Sequence, residues 1–287
     1  MISRINSETR LYVLIGDPVE HSFSPLMHNA AFQFRGINSV YFTVQVKSEG
    51  LEDAIKGIKS MNIRGLNVTI PHKVSIMKYL DEIDSNAKNI GAVNTVINKD
   101  GKLIGYNTDG AGALEALKIG NADPTGKKVV LLGAGGAARA ISFSIAPFAR
   151  KLVVLNRTRS KAISIVEAIK KRLNIKIVGD KLTINTLSRE LVNTELLINT
   201  TSVGMFPKID ETLVGGHLLK PKMVVFDIIY NPPETRLLRE ATASGAKALN
   251  GINMLVNQGA LSFKLWSGLK PPINVMLGAI NSRLREG

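Results

Sequence analysis

Strand-like and helix-like patterns alternate almost from the start of the chain. The apolar run at residues 11–15 ends in Gly16-Asp17-Pro18, the pattern of a strand entering a turn. Pro25 opens a helical stretch to about Phe34, because proline is preorganised for the first helical position. Residues 41–46 alternate as a second strand, and Leu51, Ala54, Ile55, Ile58 and Met61 repeat at helical spacing. Residues 66–70 predict a third strand, stopped by Pro71. Lys99-Asp100-Gly101-Lys102 separates two further strands, 93–98 and 103–106, as a hairpin. A helix over 110–120 leads to a continuous apolar strand at 129–132. Strand candidates then follow at 152–155, 175–178, 196–198 and 223–226, with helical patterns between most of them. An unbroken apolar strand is expected where both faces of a parallel sheet are covered, and this alternation predicts a doubly wound sheet. Two helical stretches, one up to Trp266 and one over 273–285, close the chain with no strand after them.

Composition narrows the classes. The 287 residues suit two moderate domains, and 45% hydrophobic against 21% charged is the balance of a chain with a core, not of a disordered one. With no cysteine there is no disulfide framework, thiolate metal site or cysteine nucleophile. The four histidines, His21, His28, His72 and His217, form no ligand pair at helical spacing, so no metal is expected. No apolar run approaches a membrane span, and the polar stretch 1–10 lacks the apolar segment of a signal peptide. A cytoplasmic protein is the expectation. The formal charge of +14 allows nucleic-acid binding, but no Lys/Arg block or aromatic–basic interleaving accompanies it. A basic surface that attracts small anionic ligands is the preferred reading.

Gly133-Ala134-Gly135-Gly136-Ala137-Ala138 follows the apolar strand at once and opens an alanine-rich helix. A tight turn needs a residue that tolerates positive φ, a pyrophosphate needs backbone without side chains in its way, and a helix N-terminus offers N–H groups and a positive dipole end. The string alone could be an ordinary turn. Set between a strand and a helix, with βα units following, it predicts a dinucleotide site. Sheets that take NAD place an acidic residue about 20 positions further on, to accept from the ribose 2′-OH. Here the second strand ends in Asn156-Arg157-Thr158-Arg159-Ser160-Lys161, without a carboxylate. Cations at a helix start oppose the dipole, which points to a bound anion, and a guanidinium matches a 2′-phosphate in charge and forked geometry. NADP is the expected cofactor.

Four strings in the first hundred or so residues carry polar side chains close to strand ends. They are Gly16-Asp17-Pro18 with His21-Ser22-Phe23-Ser24-Pro25 and His28-Asn29; Asn67-Val68-Thr69-Ile70-Pro71-His72-Lys73; Gly91-Ala92-Val93-Asn94-Thr95; and Gly105-Tyr106-Asn107-Thr108-Asp109-Gly110. Oxidation of a secondary alcohol needs a hydride acceptor, a proton acceptor and anchors for the reacting carbon. Lys73 and Asp109 are the ionisable candidates. Taken alone, Lys73 could equally be a solvated first-turn lysine and Asp109 an N-cap for the helix over 110–120. Ser22 and Ser24, read as an extended segment about Phe23, would point two hydroxyls to one side; Ser24 could instead cap the helix opened by Pro25.

The order and spacing of these strings resemble the shikimate dehydrogenase family along nearly the whole chain. The later strings match as well: Asn156-Arg157-Thr158, Asn199-Thr200-Thr201-Ser202-Val203-Gly204-Met205, residues 227–230 with Pro232-Pro233-Glu234-Thr235, and Asn250-Gly251 with Met254-Leu255-Val256 and Gln258-Gly259. The resemblance implies an α/β fold: an N-terminal α/β substrate lobe, 1–110 completed by helices in 251–287, and a doubly wound Rossmann-type NADP-binding domain, 111–250, with the active site in the cleft between. It implies Lys73 as the proton-transferring residue and Asp109 as its partner at the substrate hydroxyls. It makes Ser22, Ser24 and Tyr230 the carboxylate anchors, and Thr69, Asn94 and Gln258 the ligands of the ring hydroxyls. Around the cofactor it places Gly133, Ala134, Gly135, Gly136 and Ala137, then Asn156, Arg157, Thr158, Arg159 and Lys161. Thr200, Ser202, Val203, Met205, Gly251 and Met254 complete that set. Lys161 stands where the family commonly carries arginine, which keeps the charge and loses the fork; Arg159 is the compensating cation.

The implied activity is NADPH-dependent, reversible reduction of 3-dehydroshikimate to shikimate in aromatic amino-acid (chorismate) biosynthesis, by a monomer or homodimer that binds neither nucleic acid nor membrane. The alternatives are a quinate/shikimate dehydrogenase of relaxed specificity and, from another class, a non-catalytic NADP-binding sensor. Charge-assisted hydrogen bonds are worth about 1.5–3 kcal/mol each, so two on the 2′-phosphate should favour NADP over NAD on the order of a hundredfold in kcat/KM. Arg157→Ala should weaken NADP strongly and barely touch NAD. Steady-state kinetics with both cofactors at low salt check this, and equal kcat/KM values for the wild-type protein would overturn it.

Overall fold

The computed structural model describes residues 5–286; Met1–Arg4, the start of the polar N-terminal stretch, and Gly287 lie outside the described residues. In chain order the elements begin β1 (Arg10–Gly16), α1 (Ser24–Phe34), β2 (Ser39–Gln45), α2 (Leu51–Ser60), β3 (Gly65–Val68), β4 (Glu82–Ile83), α3 (Ser85–Ile90), β5 (Thr95–Lys99) and β6 (Lys102–Tyr106). They continue with α4 (Asp109–Ile119), β7 (Lys128–Leu132), α5 (Gly136–Ile145), β8 (Lys151–Asn156), α6 (Arg159–Lys170), β9 (Ile177–Lys181), α7 (Ile184–Leu191), β10 (Leu196–Asn199) and β11 (Val224–Asp227). The last are α8 (Arg236–Ala243), β12 (Lys247–Leu249), α9 (Ile252–Ser267) and α10 (Ile273–Glu286). The chain divides into two units, one up to Thr108 plus the residues from Val256 on, the other from Asp109 to Leu255.

The first unit holds a mixed sheet in the order β2-β1-β3-β5-β6-β4. β1 pairs in parallel with β2 and β3, while β5 is antiparallel to β3 and β6. Side chains alternate across a strand, so Val13 and Ile15 of β1 enter one core with Leu51, Ile55 and Ile58 of α2. Tyr12 meets Phe32 and Trp266, each with ring centroids 5.0 Å away. The β5–β6 turn has Asp100 at φ 52° and Gly101 at φ 88°, the left-handed pair a two-residue hairpin favours. The short helix α3 escapes the sequence pattern. Asp84 holds its N-terminus by accepting from the N–H groups of Asn86 and Ala87, and Gly91 at φ 72° ends it.

The second unit is a parallel sheet in the order β12-β11-β10-β7-β8-β9. Counted from β7, this is the 3-2-1-4-5-6 order of dinucleotide-binding sheets, whose order reverses between β7 and β10. Val129 and Leu131 of β7 pack with Ala138, Ile141 and Ile165 of α5 and α6, whereas Val130 and Leu132 pack with Leu187 and Leu191 of α7 and Leu237 of α8. Both faces are therefore covered, as the apolar strand required. The strand expected at 175–178 begins later, at Ile177, because its ladder runs with β8 from Leu152–Ile177 to Asn156–Lys181. That edge strand carries the polar Asp180 and Lys181, so its pairing and not its hydrophobic run sets the bounds.

Gly65 sets the approach of α9 to the first sheet. A Cβ there would lie 2.5 Å from Trp266 Nε1, and that Nε1–H donates to the Val96 carbonyl at 3.0 Å. Gly65→Ala should displace the ring at a cost of about 1–3 kcal/mol, the range of overpacking. Trp266 is the chain's single tryptophan, so urea unfolding followed by its fluorescence reads stability and the ring's surroundings together. An unchanged midpoint and emission would overturn this reading.

Candidate active site

In the first unit, β1 and the segment after β3 approach so closely that a Cβ on Gly16 would collide with Thr69 Cγ2 and the Ile70 carbonyl. Thr69 is tied there by N–H donation to the Ile15 carbonyl at 2.9 Å. His72, 1% exposed, places Nε2 at 2.6 Å from the Val46 carbonyl, which makes it the donor and pins the turn ahead of Lys73. Lys73 is half-buried and its carbonyl accepts from Val93 N–H at 2.7 Å. The extended reading of Ser22 and Ser24 requires correction. Phe23 is helical, at φ −85° and ψ −2°, and Ser24 N–H donates to Ser22 Oγ at 3.2 Å. The two hydroxyls therefore share a turn, and α1 has no side-chain cap, which also removes the capping reading of Ser24.

Asn94 and Gln258 are brought together: Asn94 Nδ2 lies 3.2 Å from Gln258 Oε1. Asn94 is 2% exposed and also bonds Thr108 Oγ1 at 2.8 Å, while its Oδ1 accepts from Thr108 N–H at 2.8 Å. Behind this pair lies a buried polar cluster of Tyr41, Asn67, Thr95 and Ser262, joined by hydrogen bonds of 2.8–3.1 Å. Sequence reasoning missed these residues as a group. Asn67 sits in a quoted string, but Tyr41 and Ser262 read as strand and helix positions, and only the fold shows that all four share one interior.

In the second unit Gly133 has φ 112°, and a Cβ there would come 2.5 Å from Thr200 Oγ1, so both backbone and space demand glycine. Thr200 Oγ1 donates to the Leu132 carbonyl, which fixes it at the end of β7. A Cβ on Gly135 would meet open space, and no side chain caps α5. Ala134 is 9% exposed, and Gly136 and Ala137 form the first turn of α5. This is an open helix N-terminus with bare backbone, the chemistry a pyrophosphate needs. The first turn of α6 holds no acidic residue, and no side chain caps it either. Asn156 Nδ2 donates to the Thr158 carbonyl at 2.9 Å. Arg157 and Lys161 are exposed; Arg159 pairs with Asp180 at 3.2 Å.

The loop after β10 is held from below. Asn199 Oδ1 accepts from Thr201 N–H and Oγ1, Thr201 Oγ1 accepts from Val203 N–H, and Asn199 Nδ2 donates to Asp227 Oδ1 at 3.0 Å. Ser202 is exposed, and Val203 and Met205 are half-buried on this loop. Asp227 also accepts from Thr235 Oγ1 at 2.7 Å and from Ile229 N–H, one residue before the half-buried Tyr230. Gly251 lies so close to the Ile228 carbonyl that no Cβ fits. Met254, 6% exposed, belongs to the hydrophobic core of this unit. Asp109, 3% exposed, is the first residue of α4, where the helix dipole favours a carboxylate. Among the described residues no group of three or more His, Cys, Asp or Glu could hold a metal ion, and no helix is long and apolar enough to cross a membrane.

Burial pushes the Asp227 carboxyl up to about 6, against the three donations that pull it down. Its ordinary value is 3.8, so between these values the folded chain binds the proton more tightly than the unfolded one. The stabilisation is fully present below about pH 4 and is lost as the pH rises through about 6. Asp227→Asn cannot ionise and should lack this decline, which is on the order of 1–3 kcal/mol. Urea unfolding of both proteins from pH 4 to 7 gives the difference; parallel stability curves would overturn the assignment.

Comparison with known proteins places this geometry. The profile described as "Shikimate dehydrogenase substrate binding domain" matches residues 14–96, and "Shikimate 5'-dehydrogenase C-terminal domain" matches 251–280. The shikimate dehydrogenase (NADP(+)) of Methanocaldococcus jannaschii is 49% identical over 283 residues, covering 98% of this chain and 100% of that protein. A crystal structure of a shikimate dehydrogenase in complex with NADP+ superposes with a TM-score of 0.90 at 47% identity, covering 98% of each chain. The shikimate 5-dehydrogenase of Thermus thermophilus, in complex with NADP(H) and shikimate, does so with a TM-score of 0.84 at 35% identity, covering 95% of this chain and 99% of that one. At this identity over nearly its whole length, this chain belongs to the shikimate dehydrogenase family.

Proposed function

We propose that this chain catalyses the reversible, NADP(H)-linked reduction of 3-dehydroshikimate to shikimate in the cytoplasm, as a step of aromatic amino-acid biosynthesis. The observation that carries the reading is the full-length match, at nearly half identity, to relatives named for this activity and cofactor. The open α5 N-terminus, with bare backbone at Gly133 and Gly135, supports a dinucleotide pyrophosphate there. Arg157 and Lys161 would hold the 2′-phosphate; Arg159, engaged with Asp180, has a competing partner.

Bound to this chain, NADP(H) would supply the hydride in reduction and accept it in oxidation. Lys73 handles the proton: in reduction it donates to the carbonyl oxygen as the hydroxyl forms, and in oxidation it takes that proton back. Asp109 supports it at the substrate hydroxyls. Ser22, Ser24 and Tyr230 anchor the carboxylate. Thr69, Asn94 and Gln258 read the ring hydroxyls, and amides suit a polyol because they donate and accept. The chain works as a monomer or homodimer.

Absorbance at 340 nm with NADP and shikimate, beside controls with NAD and quinate, tests the function directly. Lys73→Ala should lower kcat by orders of magnitude with little change in KM, the mark of an interaction made in the transition state. A variant keeping half the wild-type kcat would remove Lys73 from the mechanism.

A further inference from the structure

Some hydrogen-bonding groups in the first unit have only one role, and they set the direction of the rest. The backbone N–H of Thr108 can only donate, so the Asn94 atom 2.8 Å from it is Oδ1. The NH2 end of Asn94 therefore faces Gln258 at 3.2 Å, and Gln258 must turn its Oε1 inward to accept. One step deeper, the Asn94 backbone carbonyl can only accept, so the Asn67 atom 3.1 Å from it is Nδ2. That nitrogen also reaches Thr95 Oγ1 and Ser262 Oγ at 3.1 Å each. Asn67 Oδ1 is left to accept from the Tyr41 phenol at 2.8 Å. Thr95, accepting from Asn67, passes its own proton to Asn94 Oδ1 at 3.1 Å. Along this path each donation runs the same way, while Ser262 Oγ lies beside it at 2.8 Å from Thr95 Oγ1, where either hydroxyl can donate.

We infer that Tyr41 is a positioning residue for the substrate. It heads a one-way hydrogen-bond chain, Tyr41 to Asn67 to Thr95 to Asn94 to Gln258, that holds the Gln258 amide with its NH2 toward the ligand. Gln258 then recognises a ring oxygen by donating to its lone pair. The inference rests on the reading of Gln258 as a ring-hydroxyl ligand.

The head of the chain is built to stay in place. Tyr41 is 1% exposed, and Asn29 exchanges two hydrogen bonds of 2.8 Å with its backbone. Its ring stacks on His28 with centroids 4.5 Å apart and planes 19° apart. His28 is fully buried, neither ring nitrogen has a hydrogen-bond partner, and burial lowers its pKa to about 3. It is therefore an uncharged plate that lets the phenol point at Asn67. Successive donations in a buried chain polarise one another, so loss at the head is felt at the end.

The test is a double-mutant cycle on KM for shikimate. Tyr41→Phe keeps the ring and removes only the O–H. It should raise this KM about three- to tenfold, the range of one hydrogen bond, while kcat stays within about twofold and KM for NADP is unchanged. In a Gln258→Ala background the same change should shift KM less than about twofold, because the end of the chain is gone. Thr95→Val cuts the chain nearer the ligand and should reproduce the effect even if Tyr41→Phe folds poorly, and Thr95→Ser should restore it. An active wild-type enzyme whose KM is untouched by both Tyr41→Phe and Thr95→Val would overturn this inference alone, as would an equal shift in the Gln258→Ala background. A wild-type protein that oxidises neither shikimate nor quinate would overturn the functional reading, and this inference with it.

Discussion

An unpaired buried donor or acceptor costs about 1–3 kcal/mol, so a polar side chain taken out of water is held where it finds partners inside the protein; His28 is an exception. Both units are organised by that constraint. In the first, Asn67, Asn94 and Thr108 are at most 5% exposed, and they satisfy one another through Tyr41, Thr95 and Ser262. In the second, the fully buried Asp227 takes up Asn199, Thr235 and Ile229 N–H. Each network joins elements far apart in the chain: Asn67 to Ser262 in one, Asn199 to Asp227 and Thr235 in the other. A side chain in either network is thereby held by several elements of its unit.

The two units solve recognition with different materials. At the proposed cofactor site the groups on offer are backbone: a turn at Gly133, open space at Gly135 and the uncapped end of α5. Such a surface suits a phosphate, since N–H groups and the helix dipole act on any anion of the right size. Under the proposed function, distinction between phosphate patterns would fall to a few side chains, Arg157 and Lys161, which are exposed and therefore screened by salt. At the proposed substrate site, side chains dominate. A ring with several similar hydroxyls offers the same groups in many orientations, and only placed donors and acceptors separate them.

The sequence makes the backbone features legible and the side-chain networks much less so. A glycine-rich string between a strand and a helix is a local signal, and the sheet around β7 has the strand order of dinucleotide-binding sheets. The hairpin at Asp100-Gly101 and the uncovered starts of α5 and α6 are likewise local. The extended reading of Ser22 and Ser24 fails because Pro25 restricts its predecessor without fixing Phe23, which turns helical. Helix α3 lacks a long apolar period and depends on its Asp84 cap. Arg159 reads as a phosphate ligand in the sequence, but β9 places Asp180 beside it. Tyr41 and Ser262 give no signal at all: a tyrosine in a strand and a serine in a helix are ordinary, and only tertiary pairing makes them polar neighbours.

That difference bears on what identity at a position can mean. An amide such as Gln258 has two faces of opposite character, and the residue type alone does not say which one a ligand meets. If it could flip, it would greet a hydroxyl hydrogen and a lone pair alike, and would read little. Here the choice traces back to two groups that cannot reverse, the Thr108 N–H and the Asn94 carbonyl. Neither is a side chain, so neither varies directly with sequence; both depend on the backbone being where β5 and the segment after β6 put it. On the proposed reading, substrate discrimination in this unit is thus a property of the fold as much as of the residues offered to the ligand. The same set of site residues on a backbone shifted there would present a different pattern of donors.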